Sequence, residues 1–75
     1  MPSEVRLERL VTRLKRFNVT CKHTKGGHMK AKGQGVSYPF PLIRGRFVDS
    51  KYVTQIRRRF KLTSDDGVTD DAFWG

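Results

Sequence analysis

Apolar residues recur at Leu7, Leu10, Val11, Leu14 and Phe17, a spacing of three and four that winds them onto one side of a helix. Arg6, Arg9, Arg13 and Arg16 fall mostly elsewhere on the wheel. This predicts a first helix over residues 3–18, capped by Ser3, with Glu4 in its first turn and Asn18 in the left-handed exit position. A second helical stripe, Val53, Ile56 and Phe60 with Tyr52 at its flank, follows Asp49 and Ser50, either of which can cap it. Lys51, Arg58 and Lys61 then face away from the core.

Between the two helices the pattern changes to short stretches, VTCKHT, HMKAK and VSYPF, separated by KGG and GQG, which reads as a three-stranded antiparallel meander. Register follows from parity. Val19, Cys21, Met29 and Ala31 are odd-numbered, so they share a buried face only across an odd loop, which Lys25-Gly26-Gly27 supplies. Cys21 then pairs with Ala31 and Thr24 with His28. Val36, Tyr38 and Phe40 are even-numbered and require an even loop, for which a two-residue Gly33-Gln34 turn is expected, pairing Met29 with Tyr38 and His28 with Pro39. Pro39 lacks an amide donor and marks the third strand as a sheet edge. The segment PLIRGRFVD reads as a loop. The expected fold class is α+β, with order α-β-β-β-α and both helices packed on one face of the meander. A single domain over residues 1–64 and an acidic, aromatic tail over 65–75 are expected.

Charge sharpens the picture. The chain of 75 residues carries a net charge of +9 with a pI near 10.5. Residues 1–64 hold all sixteen bases and only three acids, whereas the last eleven residues hold four acids and no base. Such a balance points to a polyanionic partner. A domain this small buries only about 60% of its unfolded surface, so chemistry belongs on an open face rather than in a deep cofactor cavity. The lone Cys21 cannot form an internal disulfide, and no apolar run approaches a membrane span, so a reducing cytoplasm is the expected compartment.

With the register above, the helix-free face of the sheet displays Thr20, Lys22, Thr24, His28, Lys30, Lys32, Ser37 and Pro39. His23 turns toward the helices as a core or sheet-boundary residue. An uncharged imidazole at His28 can take a proton, and the surrounding lysines attract a phosphodiester backbone and oppose the charge that develops when phosphorus is attacked. RNA carries its own nucleophile, the 2′-hydroxyl, so a base and an oriented phosphate suffice. Gly26 and Gly27 allow backbone amides to approach an anion. The candidate catalytic residue is therefore His28, and the candidate RNA contacts are Lys22, Thr24, Lys25, Gly26, Gly27, Lys30 and Lys32. No metal site is expected, because Cys21 and His23 are separated from His28 by the sheet and a fourth ligand is missing. A non-catalytic RNA-binding module, or a DNA-binding protein using the second helix, are the competing readings. Arg57, Arg58 and Arg59 suit either a solvated helix face or phosphate contacts. Tyr38 and Phe40 suit core filling by parity, and Phe73 and Trp74 suit either a helix or a partner chain.

The amphipathic first helix, the basic strand, the turn ending GGH, the strand YPFP and the helix KYVTQIRRRFKL together resemble the HicA family of bacterial toxin mRNA interferases over residues 5–62. The ending DDAFWG is similar to acidic-aromatic tails of some members. The resemblance implies a double-stranded-RNA-binding-domain-like fold, cleavage of mRNA without metal or cofactor, and neutralisation by a HicB-type antitoxin protein. It places the catalytic histidine at His28. Gly27 stands where that family usually has serine.

Overall fold

The computed structural model describes residues 4–75, so the expected Ser3 cap lies outside the described residues. The chain begins with a short strand, β1 (Glu4–Arg6), followed directly by helix α1 (Leu7–Lys15). Three strands come next, β2 (Thr20–His23), β3 (His28–Gly33) and β4 (Val36–Pro41). A further strand β5 (Phe47–Asp49) leads into helix α2 (Ser50–Arg59), and the short helix α3 (Asp70–Trp74) ends the chain. The molecule is α+β, built on an antiparallel sheet in the order β2-β3-β4.

Helix α1 starts at the first residue of its apolar stripe, later than the range 3–18 predicts. Glu4 is extended, opposite Asp49, and Val5 pairs with Val48 in a two-stranded sheet. The Leu7 amide donates to the Arg46 carbonyl at 2.8 Å, which fixes where the helix begins. At its other end Asn18 adopts φ +63°, as expected. The amides of Asn18 and Val19 close back onto Lys15 and Leu14, satisfying carbonyls the helix leaves open. Helix α2 repeats this exit with Lys61 at φ +56°, and its entry is capped by the Asp49 carboxylate, which accepts from the Lys51 amide at 3.0 Å.

The first hairpin has the predicted register: Cys21 opposes Ala31 and Lys22 opposes Lys30. The Thr24 amide donates to the His28 carbonyl, and Gly26 takes the left-handed position. The second hairpin differs from expectation. Its turn is Gln34-Gly35, with φ +53° and +74°, the pair of positive angles a type I′ turn demands. Met29 opposes Phe40, and His28 opposes Pro41 rather than Pro39. Gly33 stays in the strand because it lies against the end of α1, where a Cβ would stand 2.9 Å from the Asn18 carbonyl oxygen. Moving the turn by one residue shifts each partner by two, which returns every side chain to the same face.

Strand β4 is an edge, and since the Leu42 amide donates to the Gly27 carbonyl, alternation turns the nitrogens of Pro39 and Pro41 away from β3. Met29, Ala31 and Phe40 project from the sheet into a core with Leu10 and Leu14 of α1 and Val53 and Ile56 of α2. Tyr38 is half-buried on the same side, beneath the Arg59 guanidinium. The acidic end of the chain folds back onto the helices. Phe73 is fully buried, stacked on Phe17 at 5.7 Å with the Arg57 guanidinium over its ring. Arg57 donates to the Leu62 and Val68 carbonyls and pairs with Asp70. Arg13 donates to the Phe73 carbonyl at 2.6 Å, and Arg9 covers Trp74.

Candidate nucleic-acid interface

Alternation along β2 and β3 sends Thr20, Lys22, His28, Lys30 and Lys32 to the side of the sheet opposite the core, joined at the hairpin end by Thr24. All are exposed except Lys30, which is half-buried. From β4, Ser37 and Pro39 share this face and are exposed. The structure therefore brings together Lys22, Thr24, His28, Lys30 and Lys32, with Lys25, Gly26 and Gly27 at the exposed tip beside the histidine.

Electrostatically the face is one-sided. Residues 20–46 carry four lysines and two arginines and no acid. Lys22 and Lys30 are direct cross-strand partners, an arrangement that destabilises a sheet because like charges sit about 4.5–5.5 Å apart at Cβ. The ion pairs among the described residues, Arg6 with Glu8 and Arg57 with Asp70, lie elsewhere and leave these lysines unneutralised. Such a cluster favours an external anion as counter-charge.

The hairpin tip adds donors. The amides of Lys25, Gly26 and Gly27 donate to no backbone carbonyl among the described residues, so three N–H groups next to His28 are available to an oxyanion. The tip is held in place from β4 by the 2.8 Å bond from the Leu42 amide to the Gly27 carbonyl. Gly27 itself has ordinary φ, and a Cβ there would meet nothing within 4 Å. Among the described residues no side chain hydrogen-bonds the His28 ring, so no carboxylate orients it.

The other histidine has a different setting. His23 pairs with Met29 and lies on the helix side at the β2 edge, exposed rather than in the core. With Cys21 it lines an open groove between β2 and the start of α1. Burial pushes the Cys21 thiol up to about 11, against the weaker opposite pull of the Lys15 ammonium. Among the described residues no three His, Cys, Asp or Glu side chains gather as a metal site. Lys51, Arg58 and Lys61 are exposed but belong to α2 and its exit, on the far side of the sheet from His28. Sequence pattern alone missed the groove, whose wall includes Gly45 and Arg46 from the segment read as a loop. Its signal is the R-G-R triplet, which turns through positive φ at Arg44 and Gly45.

No family model, curated protein or solved structure matches the chain. No helix among the described residues is long and apolar enough to cross a membrane.

Proposed function

We propose that the protein is an endoribonuclease of the HicA toxin type, with His28 as general base, neutralised by an acidic HicB-type antitoxin. The observation that carries this reading is the exposed His28 on the helix-free face, between the open amides of the Gly26-Gly27 tip and the Lys22, Lys30 and Lys32 cluster. In the proposed reaction His28 removes the proton of an RNA 2′-hydroxyl, whose oxygen attacks the adjacent phosphorus. The P–O5′ bond breaks, leaving a 2′,3′-cyclic phosphate and a 5′-hydroxyl that takes its proton from water. The lysines and tip amides oppose the charge gathering on the phosphoryl oxygens. No metal or cofactor enters this scheme, because the substrate supplies the nucleophile.

The lack of an orienting partner for His28 favours a second reading, a non-catalytic RNA-binding module that uses the same face. One experiment separates the two: labelled single-stranded RNA and its all-deoxy counterpart, incubated with wild type and His28→Ala. The nuclease reading expects cutting of RNA alone, reduced about 10²- to 10⁴-fold in the variant with binding retained. Binding without cutting by the wild type selects the module. Gly27→Ser provides a further arm. The open space at Gly27 predicts a folded variant within about 0.5 kcal/mol of wild type, and a hydroxyl aimed at the phosphate is expected to raise the cleavage rate.

A further inference from the structure

The groove on the helix side of β2 has a volume of about 570 Å³, and its lining includes the partly or fully buried apolar groups Leu7, Val11, Cys21 and Met29. Its rim is polar and positive: His23, Arg6 and Arg46 are exposed there. The acid in its wall, Glu8, is paired with Arg6 at 3.6 Å, and the Thr12 hydroxyl is engaged by the Glu8 carbonyl. Arg46 makes no ion pair among the described residues. A ligand that suits this setting has a flat apolar part for the floor and an anionic part for the arginines.

The groove is also a neighbour of the lysine face. Consecutive residues of β2 alternate between them: Cys21 and His23 border the groove while Thr20 and Lys22 stand on the other side. Since β2 is an edge strand, a single strand of RNA held on the lysines can cross it without meeting another strand.

We propose that this groove is a nucleobase subsite, which takes the base of a nucleotide next to the one whose phosphate lies at His28, with Arg46 on the intervening phosphate and the His23 ring against the base. The proposal rests on the reading of the protein as an RNA-binding one and adds to it where the bases go. A volume of this size admits one or two nucleobases. It gives the molecule a means of preferring some bases over others, which the open lysine face, contacting backbone alone, does not provide.

The test uses wild-type full chain and all-2′-O-methyl hexanucleotides of adenosine or uridine, which bind but lack the attacking hydroxyl. Amide chemical shifts are expected to move at Val11, His23 and Gly45 as well as along Lys22–Lys32, with unequal affinity for the two sequences. Val11→Glu and the fully exposed Arg46→Ala are each expected to weaken binding about tenfold. Shifts confined to the lysine face, or wild-type affinity in both variants, would overturn the subsite and leave the proposed function standing. Groove amides that respond to an acidic peptide but not to the hexanucleotides would overturn it in favour of a protein ligand. Absence of any RNA binding by the wild type removes the functional reading and the subsite together.

Discussion

Gly33 and Gly27 show how differently one residue type is used within a single sheet. Gly33 is required by contact, since any side chain would strike the backbone at Asn18 and Val19, whereas Gly27 meets nothing and is open to substitution. Cys21 is also governed by its surroundings. Its thiol ionises near pH 11 in the fold, against an ordinary value of 9.0, because burial disfavours the thiolate. The raised value means that its contribution to stability is complete below about pH 9 and is lost as pH climbs through 11. Alkylation by iodoacetamide should therefore be slow at neutral pH and rise with an inflection close to 11. The stability difference between wild type and Cys21→Ala, followed by thermal melting, should change only above about pH 9. An inflection near the ordinary value would contradict the described burial.

At the scale of the element, the second hairpin is the most informative. Type I′ geometry strains a glutamine and suits asparagine, so Gln34→Asn is expected to stabilise the fold by about 0.5–1 kcal/mol. Gly33→Ala should destabilise it by about 1–3 kcal/mol through overpacking against α1. Denaturant titration of the pair distinguishes this turn from one at Gly33-Gln34, where the first substitution would bring no such gain. Parity made the faces of the sheet legible from sequence, because a two-residue slip leaves every side chain where it was. The turn itself was not legible, since GQG offers a glycine at either end and only the close approach of Asn18 selects between them. Strand β1 was hidden for a related reason: Ser3 and Glu4 read as helix-start residues, and the pairing of Val5 with Val48 depends on a partner more than forty residues away. The groove went unread because it is assembled from segments far apart in sequence, and the R-G-R triplet alone does not say which of them it faces.

Across the whole molecule, the last residues are part of the body of the fold. A domain of this length has roughly 4–11 kcal/mol of stability at typical values per residue, and truncating a buried phenylalanine costs about 3–5. Phe73→Ala is thus expected to remove much of the total, seen as a large fall in denaturation midpoint. A change under about 1 kcal/mol would show that the chain end is dispensable. The aromatic pair DDAFWG was visible in the sequence as a docking element of undecided target; Phe17 and Arg57 decide it, and neither could be singled out without the turn at Gly67 that brings the chain back.

That return path also engages acids of the chain end with α2. Asp70 pairs with Arg57 of α2 and Asp65 lines a pocket with Arg57 and Arg58, while residues 20–41 keep four bases and no counter-charge. The rest of the chain mixes twelve bases with seven acids, so the lysine face is set apart by the absence of carboxylates rather than by a larger net charge, and a phosphate polymer meets no like-charged group as it settles there. A strand lying on that surface keeps its full counter-charge, and the exposed imidazole of His28 stands within the same acid-free patch.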